Sequence, residues 1–79
     1  SVVVATVPDG AKVDGMTISD VAKSRHFPEE CVVAGIYREA DERFIIPRGS
    51  IELRAGDQVF LSAATEDIRR AAEFLQRTK

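Results

Sequence analysis

The sequence predicts an α+β domain of order β-α-β-β-β-α with a largely antiparallel sheet. Three observations carry that prediction. Four short runs are rich in β-branched and apolar residues, as strands are. Two of those runs flank the polar stretch Glu39–Glu42 closely enough to form a hairpin. Near the end of the chain, Ile68, Ala71, Ala72 and Leu75 recur at i, i+3, i+4 and i+7, the spacing of an amphipathic helix.

Each element follows from its own residues. Val2 to Val7 is β-branched and apolar, and Pro8-Asp9-Gly10 ends it with a turn signal. Thr17-Ile18-Ser19-Asp20 has the spacing of a capping box with Asp in the Glu place. Behind it Ile18, Val21 and Ala22 share a helical face, which predicts two turns of helix ending near Ser24. Cys31 to Arg38 reads as the second strand, and Arg43 to Ile46, closed by Pro47, as the third. Ile51 and Leu53 form an apolar anchor in a polar connection, and Ala55-Gly56-Asp57 is a tight turn. Gln58 to Ala63 is the fourth strand, with Val59 and Leu61 on one face and Phe60 on the other. Thr65 is placed to cap the last helix, whose first turn holds Glu66 and Asp67, where the helix dipole favours acids. Glu66–Arg70, Arg69–Glu73 and Glu73–Arg77 are spaced to pair along its wet face.

The bulk numbers narrow the function. A chain of 79 residues makes one domain, spanning 1–79, with a thin stability margin. A net charge of −2 argues against a dedicated nucleic-acid binder, which carries a basic surface. The single cysteine, Cys31, allows no internal disulfide. No apolar run approaches the roughly 20 residues that span a bilayer, so no membrane insertion is expected. One histidine, His26, and one cysteine offer no activated-nucleophile spacing and no metal-ligand cluster, so the chain does not read as an enzyme. There is no Gly-x-Gly-x-x-Gly, so a nucleotide held by such a loop is not expected. With neither disulfide nor metal to brace a small core, oligomerisation is the remaining route to more burial. The absence of an initiator Met suggests a module excised from a longer protein.

Several motifs, taken in order, carry a family resemblance. They are Val13-Asp14-Gly15-Met16-Thr17-Ile18 at the first helix start and Cys31-Val32-Val33-Ala34-Gly35-Ile36-Tyr37-Arg38, an apolar strand ending in Arg. An Ile-Pro-x-Gly turn follows at Ile46-Pro47-Arg48-Gly49, and a Leu-x-x-Gly-Asp turn at Leu53-Arg54-Ala55-Gly56-Asp57. Together, over essentially the whole chain, they resemble the TrkA-C or RCK-C regulatory domain of potassium-transport and related proteins. The resemblance implies a cytoplasmic regulatory module that forms a homodimer. Its parent would carry a Rossmann-type nucleotide-binding domain or be a membrane transporter, and ligand binding at the dimer interface would gate transport. A ligand-free structural or tethering domain of a transporter or transcription regulator is the alternative.

No cofactor is expected within the domain itself. Some family members bind cyclic di-AMP at the dimer interface, and the resemblance carries that role to Ile36, Arg38, Ile45, Ile46 and Pro47. The hairpin joining these positions bears Glu39, Asp41 and Glu42, where binders carry amide side chains. From the residues alone, Arg38 either clamps a phosphate or carboxylate bidentately or pairs with Glu39 or Asp41. Ile45 and Ile46 are consecutive in a strand, so one of them leaves the core face. Arg43 and Arg48 read as solvated. Tyr37 alternates away from Ile36 and so could face a partner. Phe74, at the edge of the helical stripe, reads equally as core or as a dimer contact. Gly56-Asp57 reads as turn chemistry, and Cys31 as a small buried hydrophobe.

Overall fold

Alternation along the strands settles which side of the sheet is buried. A computed structural model describes residues 1–79. Its elements are β1 (Val2–Thr6), α1 (Ile18–Lys23), β2 (Val32–Arg38), β3 (Arg43–Ile45), β4 (Gln58–Ser62) and α2 (Thr65–Gln76), with one 3-10 turn at Glu39–Asp41. The strands form one sheet in the order β1-β4-β2-β3, every neighbouring pair antiparallel. The expected α+β order and antiparallel sheet are therefore present. The last strand in sequence lies between the first and the second.

Ala5 faces Val59 across β1 and β4, Val59 faces Ile36 across β4 and β2, and Ile36 faces Ile45 across β2 and β3. All four are buried, as is Leu61. A shift in the β2–β4 register between Val33 and Gly35 leaves Ala34 as an extra residue. That bulge lets Val33 and Ile36, three apart in sequence, share the inner face, which strict alternation would forbid.

α2 packs on this inner face against β1 and β4. It buries Ala71, Phe74 and Leu75. Phe74 meets Phe27 edge to face at 5.8 Å. Phe74 is thus core, and the dimer-contact reading of it falls. The expected cap at Thr65 also falls. Ala64 occupies the cap position without a side-chain hydrogen bond, and the Thr65 hydroxyl lies 3.2 Å from that of Ser1. Of the expected ion pairs along the helix, Arg69–Glu73 forms at 3.7 Å. Arg77 lies instead 6.0 Å from the Phe74 ring centroid, in cation–π range.

α1 begins as its sequence dictates, with the Asp20 N–H donating to the Thr17 hydroxyl at 3.1 Å. It buries Ile18 and Val21, whereas Ala22 is exposed rather than on the shared face. The long connection from β3 to β4 is pinned to this region. Gly15 N–H donates to Leu53 C=O and Leu53 N–H to Met16 C=O, both at 2.8 Å, while Ile18 N–H reaches Ile51 C=O at 2.9 Å. Leu53, with no exposed surface, is the expected anchor. The Gly56 turn needs a positive φ of 92°. It delivers Asp57 to the entrance of β4.

Candidate functional site: the open sheet face and the hairpin clasp

α2 lies on the inner face and α1 buries Ile18 and Val21 in the same core, so the outward-pointing residues define the opposite face. Three rows cross it, read from the register. They are Val2, Ser62 and Val32; Val4, Phe60 and Gly35; and Thr6, Gln58, Tyr37 and Phe44. None of these residues is charged, in a chain with 11 basic and 13 acidic side chains. Val2, Val4 and Val32 are exposed, as are Phe44 at 67% and, just past the end of β3, Ile46 at 70%. The rings of Tyr37 and Phe44 sit 5.2 Å apart and those of Phe44 and Phe60 5.5 Å. Exposed apolar side chains gathered on one uncharged face make it a candidate interaction surface.

At one end of the same hairpin lies a clasp. Arg38 closes β2, and its guanidinium is aimed at the Gly56 turn. Nε donates to Asp57 Oδ1 at 2.9 Å, and Nη2 donates to Asp57 Oδ2 at 2.9 Å and to the Glu52 carbonyl at 2.8 Å. The Arg54 N–H adds a fourth bond, to Asp57 Oδ2 at 2.9 Å. Asp57 is only 1% exposed, so this carboxylate is satisfied by a bidentate fork and a backbone donor, as a buried charge requires. The hydrogen bond to Asp57 pushes the Arg38 guanidinium further up from its ordinary range; burial opposes it, and the charges of Asp57 and Asp41 add to it.

A cleft of about 570 Å³ runs beside the clasp, between the Glu39–Asp41 turn and the Arg54–Asp57 turn. Its two cations are already engaged, Arg38 by Asp57 and Arg54 by Glu52 at 2.7 Å. The cleft therefore offers an anion no unpaired cation of its own.

The five sequence-derived positions separate accordingly. Ile36 and Ile45 face the core and are buried, with no exposed surface on Ile36. Arg38 is held by Asp57, not by Glu39 or Asp41. Ile46 is exposed and Pro47 half-buried beside it. Tyr37 does point away from Ile36, onto the open face. Sequence reasoning passed over Val32, Phe44 and Phe60 as parts of that surface and Asp57 as the partner of Arg38. The alternation that put Phe60 opposite Val59 and Leu61 was the signal for the first group.

Cys31 is buried, and its thiol is pushed up, first by desolvation and then by the charge of Asp67. No cluster of three His, Cys, Asp or Glu side chains is placed to hold a metal ion. No helix is long and apolar enough to cross a membrane.

Known proteins share this architecture. Residues 2–76 match the TrkA-C domain family. A Trk system potassium uptake protein TrkA homolog of Archaeoglobus fulgidus is 42% identical over 62 residues, which are 78% of this chain and 13% of that protein. The chain thus spans about an eighth of that relative's length. Among solved structures, an RCK domain with cda superposes with a TM-score of 0.77 at 18% identity, covering 96% of this chain and 99% of the other. The RCK_C domain dimer of S. agalactiae BusR in complex with c-di-AMP does so with a TM-score of 0.76 at 16% identity, covering 95% of each chain. Those two likenesses concern the fold. The family match spans nearly the whole sequence, and on that ground this chain belongs to the TrkA-C domain family.

Proposed function

We propose that this domain is a non-catalytic regulatory module of a potassium channel or transporter, which dimerises and senses a small nucleotide ligand at or near the dimer interface. The observation that carries this reading is the uncharged open face, with Phe44 and Ile46 standing exposed on its β3 side. Burying such a surface against a second copy removes apolar area from water at roughly 25 cal/mol per Å². A nucleobase gains in the same way from stacking on aromatic and aliphatic side chains. Two further facts support the reading: the related potassium uptake protein, and the similarly folded RCK_C dimer that holds c-di-AMP.

Of the five, Arg38 is 20% exposed but held by Asp57, and Ile46 and Pro47 carry accessible surface on the side of the open face that bears Phe44. Ile36 and Ile45 back them from the core. Ligand bound across two protomers would bias the angle between them and so gate an attached transport subunit at the cytosolic face of the membrane. That bias is a population shift, and it needs different ligand affinities in the two states.

Calorimetry with c-di-AMP, combined with light scattering, tests the proposal. The expected outcome is saturable heat with one ligand per two chains and a dimer at micromolar concentration. Ile46→Asp should abolish the heat while the domain stays folded. A monomer at high micromolar concentration sinks the dimer. A dimer without heat removes this ligand and leaves a structural tethering module.

A further inference from the structure

β3 is three residues long and is held to the sheet by β2 alone. Its position is therefore weakly specified by the ladder, yet it carries Phe44 and leads into Ile46. The last pair of that short ladder sets Arg38 directly opposite Arg43. Like charges opposite one another on adjacent strands repel and would splay the hairpin. Arg43 is exposed and has no ion-pair partner, whereas Arg38 is turned away into Asp57 and the Glu52 carbonyl. The Glu52 segment is itself bridged to Thr17 at the start of α1. The clasp thus ties the hairpin to the body of the domain.

We infer that Arg38 is a positioning residue and not a ligand contact: its fork on Asp57 and Glu52 fixes the β2–β3 hairpin, and so sets Phe44 and Ile46 on the binding face. The part concerning ligand rests on the reading in Proposed function; the part concerning the hairpin does not. Three of the guanidinium's five N–H groups are spent on the clasp. A phosphate that recruited Arg38 would have to compete with a buried carboxylate already bound bidentately. Holding a binding surface in place before the ligand arrives raises affinity by lowering the ordering cost.

The test has two arms. In ligand-free protein, NMR ring-proton shifts of Phe44 and Tyr37 report where the hairpin lies. Arg38→Ala, Arg38→Lys and Asp57→Asn should each move those shifts towards free-amino-acid values while the methyl signals of Val59 and Leu61 stay in place. Lysine keeps the charge but lacks the fork, so it should not rescue. Adding Arg43→Ala to Asp57→Asn should leave the ring shifts displaced, because removing the opposing charge does not rebuild the fork. Unchanged ring shifts in Asp57→Asn, or their full restoration by Arg43→Ala, overturn the inference.

In the second arm, c-di-AMP is titrated at several salt concentrations into the wild type and Arg38→Lys. Affinity should fall about tenfold in the variant, the scale of losing a charge-assisted fork, with the salt dependence of log K unchanged. Arg38→Ala should likewise leave that slope intact, whereas loss of a direct phosphate contact would lower it by about 0.7–0.9. A lowered slope overturns the inference. Absence of binding by the wild type sinks the ligand reading instead, and the ring shifts then decide the inference alone.

Discussion

The rings of Phe44 and Phe60 are 5.5 Å apart although their strands, β3 and β4, are not neighbours. β2 runs between them, at roughly 4.8 Å from each. They meet because the β2 residue opposite Phe60 is Gly35, which has no side chain to stand between the rings. The exposed face is thereby made continuous from β1 to β3.

Gly35→Val tests that role cleanly. Gly35 does not have a positive φ, and a Cβ there would meet nothing within 4 Å. The fold should tolerate the change to within about 1 kcal/mol, since a β-branched residue suits a strand. Its γ methyls would part the two rings. The expected result is a near-native melting temperature, an altered near-UV spectrum and weakened self-association in light scattering.

Breaking the clasp should cost far more. Arg38→Ala leaves the Asp57 carboxylate buried with only the Arg54 N–H for a partner. Removing one member of such a pair costs about 3–5 kcal/mol. Because Arg38 keeps some exposure, the lower end applies, and a loss of about 3 kcal/mol lowers the melting temperature of a domain this size by roughly 12–24 °C. Urea denaturation of the variant measures it.

Leu53→Ala should destabilise by about 2–5 kcal/mol, because the site is fully buried and leaves a cavity. Amide exchange then shows the second consequence. Protection should fall at Gly15, Leu53 and Ile18, whose N–H groups tie the connection to α1, before it falls in β4.

Cys31 predicts a pH dependence. Its thiol is pushed up in the fold, so the native state keeps a proton that the unfolded chain releases first. Stability contributed this way is complete below the ordinary thiol range and is lost as pH rises through the folded value. Urea midpoints should fall more steeply in the wild type than in Cys31→Ala as pH rises above the ordinary thiol value of about 8.5. At neutral pH, alkylation by a thiol reagent should be slow and should speed up with added denaturant.

How much of this was legible in the sequence depends on distance along the chain. The Thr17 cap, the anchor at Leu53 and the opposite faces of Ile45 and Ile46 are consequences of spacing over a few residues, and the sequence shows them. The Arg38–Asp57 pair joins positions 19 apart in sequence. Nothing local distinguishes Asp57 as a partner from Asp57 as a turn residue, and it is both. The burial of Ile36 follows from the bulge at Ala34, which resets the alternation and leaves no mark in the residue pattern. Phe74 sits at the margin of its helical stripe, and only the arrival of Phe27 from the segment after α1 closes over it.

The strand order also governs how the molecule assembles. β1 pairs with β4 alone, so its first strand waits for a partner more than fifty residues away. β2 and β3 can close as a local hairpin on the microsecond scale, but the four-stranded sheet forms only when β4 slides in between β1 and β2. Pairings so distant in sequence make folding slow for a chain of this length. On the ribosome, Val2–Thr6 would emerge early and stay unpaired until Gln58–Ser62 had cleared the exit tunnel, leaving a valine-rich strand as the segment most in need of a chaperone during synthesis.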